Sequence, residues 1–112
     1  MRMWMVNPRK MCIRHLCAEH GEIHKHRHNF VKGHSMQGRI QADQIEPMSM
    51  KARHDALARE IDRRAALNGT GGHRSPYRQP SLAKYPEYVR VHRIDRVAAR
   101  AELYNRCKEC KV

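Results

Sequence analysis

Met50-Lys51-Ala52-Arg53-His54-Asp55-Ala56-Leu57-Ala58-Arg59-Glu60-Ile61-Asp62-Arg63-Arg64-Ala65-Ala66-Leu67, followed by Asn68-Gly69, is the stretch on which the fold turns. It is rich in alanine and long unbranched side chains, the residues that lose least on entering a helix. Met50, Leu57, Ile61 and Ala65 form an apolar line at helical spacing, and a glycine closes the run. The pattern predicts a helix from Ser49 to Asn68. Upstream, Asn7-Pro8 pairs a favoured N-cap with a favoured first helical residue. A helix is expected to open there, run through Met11, Ile13, Leu16, Ile23 and Val31, and stop at Gly33. Gly21 weakens its middle by about 1 kcal/mol relative to alanine. Residues 34–48 read as a loop and 68–86 as a linker punctuated by Gly71, Gly72, Pro76, Pro80 and Pro86. A third helix is expected over Val91–Cys107, with Ile94, Val97, Ala98, Ala101 and Tyr104 on its inner face. Beyond the first six residues nothing alternates as a strand would. The expected fold is all-α: one compact three-helix domain over residues 1–112, with irregular loops and an extended N-terminal segment packed into the bundle.

The chain has 112 residues, which suffices for one modest core and excludes a multidomain enzyme or a doubly wound nucleotide-binding sheet. It carries 23 Lys and Arg against 11 Asp and Glu, a formal net charge of +12. Sixteen of the cations are arginines, whose forked donors match phosphate oxygens in pairs. The positive charges run from Arg2 to Lys111 among apolar residues, so they belong to faces of a folded body rather than to a tail. Such a balance fits nucleic acid, an anionic membrane or another acidic surface as partner. No apolar run approaches the ~20 residues of a membrane helix, and the chain is expected to be cytoplasmic with no membrane partner.

His15, Glu19, Glu22 and His26 stand at i, i+4, i+7 and i+11, which stacks two carboxylates and two imidazoles along one helical stripe. Such a stripe suits acid–base work or metal binding, with a solvated face as the alternative. His20, His24 and His28 make a second ladder with spacing that zinc accepts. Cys107-x-x-Cys110 is half of a structural zinc motif. Cys12 and Cys17 lie about 140° apart around a helix and so cannot both face one ion. Reduced thiols and no metal or other cofactor are expected, with zinc joining the first helix to the C-terminus as the alternative. The first residues, Met1-Arg2-Met3-Trp4-Met5-Val6, are apolar enough to be drawn into the core. An α-amino group has a pKa near 7.7–8.0, which leaves an appreciable share as free base at neutral pH and makes a fixed terminal amine a ready nucleophile.

Met1-Arg2 together with His15-Leu16-Cys17-Ala18-Glu19-His20-Gly21-Glu22 resembles the pyrimidine-dimer DNA glycosylases, the family of the phage endonuclease V enzymes. Those proteins follow their N-terminal residue with an arginine and carry a His-Leu-x-Ala-Glu-x-x-Glu run on the first helix. Arg53 to Arg64 is similar to the family's basic second helix, and His73-Arg74-Ser75-Pro76 and the Cys107-x-x-Cys110 ending look like short bacterial and phage relatives. The resemblance implies a DNA repair glycosylase with associated abasic-site lyase activity, working as a monomer on double-stranded DNA in a bacterial or phage-infected cell. The Met1 amine would attack the sugar C1′ of a damaged or modified pyrimidine nucleotide, forming a Schiff base that leads to β-elimination. Glu22 would stabilise the developing sugar cation and assist proton transfer, while Arg2 and His15 would line the pocket. Arg14, Lys25, Arg27, Lys32, Arg53, Arg63 and Arg64 would contact DNA. Gly21 stands where the best-known member has an arginine, and the aromatic C-terminal segment found there is absent. A non-catalytic DNA-binding protein on the same scaffold, or a zinc-stabilised interaction module, are the other readings.

Overall fold

The computed structural model describes residues 2–69 and 76–111. Among these the protein is all-α, with no strand. Five helices follow one another: α1 (Ile13–Val31), α2 (Gln37–Gln41), α3 (Met50–Asn68), α4 (Glu87–Arg90) and α5 (Arg96–Arg106). Short 3-10 turns cover Pro8–Lys10, Pro47–Ser49 and Lys108–Lys111. No helix among the described residues is long and apolar enough to cross a membrane.

α3 runs to Asn68, as its composition predicts, and ends on Gly69 in the left-handed region (φ 68°), a conformation that glycine adopts without steric cost. Met50, Leu57 and Ala65 are buried and Ile61 packs at the edge of the core. The entry to α1 differs from expectation. Asn7 does cap a helical turn, its side-chain oxygen accepting from the Arg9 N–H, but that turn closes at Lys10. Met11 is extended, because its side chain is pulled into the core and its carbonyl accepts from Arg64 of α3 at 2.6 Å. The helix then restarts with Cys12 in the N-cap position. At the far end Gly33 (φ 74°) turns the chain away, and the His34 N–H donates back to the Asn29 carbonyl.

The third expected helix is shorter and rotated. Asp95 caps α5 by accepting from the Ala98 N–H, and the four-residue α4 takes up part of the segment before it. Ile94 is buried as expected, but the inner face of α5 is Ala99 and Leu103, whereas Val97, Ala98 and Ala101 are exposed. Tertiary ties set this rotation. Glu46 accepts from the Ile94 N–H and from both terminal nitrogens of Arg96, and Asp43 accepts from the Asp95 N–H. The region 34–48, expected as a loop, contains α2, whose Ile40 enters the core.

Residues 2–6 do not behave as a strand with one wet side. Met3, Trp4 and Val6 are all buried, and Met5 takes a left-handed backbone (φ 58°) that turns successive side chains inward. The Met3 N–H donates to the Gln44 carbonyl at 2.8 Å, fastening this segment to the loop after α2. α1 and α3 pass each other in opposite senses: the start of α1 meets Arg64, while Glu19 and His20 meet Arg53 and His54.

Candidate functional site

A cavity of about 330 Å³ opens where the N-terminal segment, α1 and α5 meet. Arg2 and Trp4 form one wall, His15 and Glu19 another, and Gln44, Glu102 and Arg106 complete it. The Arg2 guanidinium lies over the Trp4 ring, 5.1 Å from its centroid, and its Nη1 pairs with Glu102 at 2.8 Å. Arg106 reaches the other oxygen of Glu102, also at 2.8 Å. The Arg2 Nη2 is buried and has no hydrogen-bond partner among the described residues. A buried guanidinium nitrogen in that condition calls for an acceptor.

The expected stripe on α1 is present, and its members divide by role. Glu19 is fully enclosed and held by Arg53 through two bonds of 2.5 and 2.9 Å. Arg53 also donates to the Val6 carbonyl, so an arginine expected on DNA is an internal strut between α1, α3 and the N-terminal segment. Glu22, one helical step further and outside the lining of the cavity, is also buried, and among the described residues its contact is a single looser one, Lys25 Nζ at 3.6 Å. His26 is completely buried and neither ring nitrogen has a partner among the described residues. Burial, with Arg39 nearby, pushes its pKa down to about 4, so the ring is neutral at physiological pH. Met1 lies outside the described residues.

His15 stands on the cavity wall edge-on to Trp4, with ring centroids 6.1 Å apart. Its Nδ1 faces the other way, 3.1 Å from the Cys12 sulfur and 3.4 Å from that of Cys110. Cys17 is exposed and takes no part. The second histidine ladder is reorganised. His20 and His24 do come together, but with His54 of α3 rather than with His28, which is exposed. The His20 and His54 Nε2 atoms are 3.1 Å apart, and Tyr77 stacks on His54 with centroids at 5.0 Å.

The remaining expected DNA contacts separate by exposure. Arg14, Lys25 and Lys32 project from α1 and its C-cap into solvent, Arg14 with only a 3.5 Å contact to Glu109. The Arg27 Nε donates to the Arg78 carbonyl at 2.6 Å, which ties the segment after residue 76 to α1. Arg63 and Arg64 both clamp the buried Glu60. Arg64 is a further internal strut, since it also donates to the Pro8 and Met11 carbonyls, while Arg63 keeps a part-exposed edge. The Arg63 bond, helped by Arg64, holds the Glu60 carboxyl down at about 2.

Sequence reasoning reached Arg2, His15 and Trp4 but missed Gln44, Glu102 and Arg106, which nothing local distinguishes from surface residues. Compared with protein families, curated proteins and solved structures, the chain gives no match in any of the three.

Proposed function

We propose that this protein is a cytoplasmic, monomeric DNA glycosylase with abasic-site lyase activity whose nucleophile is the α-amine of Met1. The observation that carries the reading is the packing of residues 2–6. Met3 is wholly buried and bonded to Gln44, which tethers the chain two residues from Met1 at the rim of a cavity lined by Arg2 and His15. The Arg2 Nη2 donor, without a partner among the described residues, suits a phosphate or sugar oxygen of a nucleotide drawn into that cavity.

In this reading the amine lone pair attacks C1′ and the bond from C1′ to the base breaks, the base leaving with a proton. At an existing abasic site the amine adds to the aldehyde and water leaves. On the first route the C1′–O4′ bond then breaks, O4′ leaving as a hydroxyl. Either route thus gives an imine, which acidifies the C2′ hydrogens so that loss of one expels the 3′ phosphate. Glu22 is the carboxylate for the developing positive charge and the proton movements, because Glu19 is already engaged by Arg53. The net charge of +12 concentrates DNA around the molecule, and Arg14, Lys25 and Lys32 offer phosphate contacts without giving up an internal role.

Borohydride reduction in the presence of an abasic duplex tests the reading. A lyase is trapped covalently, with the adduct mapping to Met1 after proteolysis. Blocking the Met1 amine with an uncleaved tag should abolish trapping and leave salt-dependent DNA binding in place. Binding without any trapping by the untagged chain would establish the non-catalytic DNA-binding protein instead.

A further inference from the structure

We propose that Cys12, His15, Cys107 and Cys110 form a structural zinc site that fastens the end of α5 to the start of α1. Their four ligand atoms, three Sγ and one imidazole nitrogen, all lie within 4.8 Å of one another. Zinc binds thiolate sulfur at about 2.3 Å and histidine nitrogen at about 2.0 Å in a tetrahedron. Those bond lengths set tetrahedron edges of about 3.8 Å between sulfurs and about 3.5 Å between sulfur and nitrogen. The Cys12 and Cys107 sulfurs are 3.9 Å apart, and His15 Nδ1 is 3.1 and 3.4 Å from the Cys12 and Cys110 sulfurs. The side chains therefore already sit close to the edges of a zinc tetrahedron.

The local backbone explains why. Cys12 occupies the N-cap of α1 and His15 its first turn, so Cys12-x-x-His15 presents two ligands from one helix end. Cys107 caps the C-terminus of α5 and Cys110 lies in the 3-10 turn that follows, so Cys107-x-x-Cys110 mirrors it. The Cys12 N–H donates to the Cys110 sulfur at 3.2 Å, which ties the two ligand pairs together. Binding exchanges three thiol protons for one Zn²⁺ and leaves the site with a charge of −1, beside the exposed guanidinium of Arg14. Four protein ligands leave no open position, so the ion is structural rather than catalytic. Its effect on the cavity is nonetheless direct. The helix it pins carries Glu102 and Arg106, and His15 is shared between ion and cavity wall.

The site holds whether or not the chain acts on DNA, and its test is separate from borohydride trapping. Protein purified under reducing conditions should contain one zinc per chain by elemental mass spectrometry. A mercurial should release that zinc as three thiols react, with Cys17 accounting for a fourth. Replacement by cobalt should give the ligand-field bands of a tetrahedral ion together with thiolate-to-cobalt charge transfer. Cys17→Ser should keep zinc and spectrum, whereas Cys110→Ser should lose the ion or, if it does not fold, leave the wild-type spectrum to decide. Metal-free wild-type protein with four freely reactive thiols would overturn the proposal. So would a disulfide among these cysteines, or zinc retained at full stoichiometry in a folded Cys110→Ser variant, which would place it elsewhere.

Discussion

Arg53 holds both carboxylate oxygens of Glu19, Nε at 2.5 Å and Nη2 at 2.9 Å, so the first glutamate on the inner stripe of α1 is committed to joining α1 and α3. Removing one partner of a buried pair leaves an uncompensated charge, which costs about 3–5 kcal/mol. Arg53→Met should lower the unfolding free energy by that much in urea denaturation. Glu19→Leu combined with Arg53→Met should recover most of it, since an apolar pair of similar volume needs no compensation. An Arg53→Met single variant as stable as wild type would show that Glu19 is neutralised in another way.

Glu22, by contrast, should be dispensable for folding and required for chemistry. Glu22→Gln keeps shape and burial, so the melting temperature and DNA affinity should change little. Loss of a carboxylate that moves protons typically slows a reaction by about 100-fold or more. Single-turnover cleavage of an abasic duplex reads this out, and an unchanged rate would remove Glu22 from the mechanism.

Arg2→Lys separates charge from geometry. The ammonium preserves net charge, so the dependence of DNA binding on salt should keep its slope. It loses the fork that reaches Glu102 with one nitrogen and leaves the other for a ligand. Cleavage should fall about tenfold, corresponding to about 1.4 kcal/mol for one charge-assisted hydrogen bond.

Acid should weaken the fold in two stages. His26 has a folded pKa of about 4 against an ordinary 6.5, so the unfolded chain takes up the proton first. The stability that depends on its neutral ring is complete above pH 6.5 and is lost as pH falls toward 4. Glu60, held at about 2 against an ordinary 4.5, contributes stability that is complete above pH 4.5 and is lost as pH falls toward 2. Urea midpoints measured across pH should show both slopes. His26→Leu should flatten the upper one and raise stability at neutral pH, because it removes buried nitrogens that lack partners among the described residues. Glu60→Gln should flatten the lower one and cost about 1–3 kcal/mol at neutral pH.

The helical framework was legible wherever local chemistry agreed with packing. α3 carries its own propensity, its apolar line and its terminal glycine, and the structure follows all three. The start of α1 was not legible, because what breaks it is the Arg64 guanidinium on the Met11 carbonyl, 53 residues away. The rotation of α5 was hidden for the same reason: its register answers to Asp43 and Glu46, not to its own sequence. Among the arginines, a strut and a surface cation are indistinguishable until the partner is known. Partners distinguish Arg53 and Arg64 from Arg14: Glu19 across the bundle and Glu60 one turn away, together with the Val6, Pro8 and Met11 carbonyls. The thiol cluster is the instructive case. Comparing Cys12 with Cys17 argued against a shared ion, yet Cys12-x-x-His15 has the same spacing as Cys107-x-x-Cys110 and was visible throughout.

The ties from Asp43 and Glu46 to residues 92–96 also bear on how the molecule is made. The loop after α2 is stitched to the beginning of α5, and the end of α5 returns to the beginning of α1. Ile94, Leu103 and Cys110, all enclosed, thus seal a core begun by Met3 and Leu16. A ribosome must therefore deliver Cys110 before the first helix can find its lasting surroundings, and until then the nascent chain exposes the apolar side that these last residues cover.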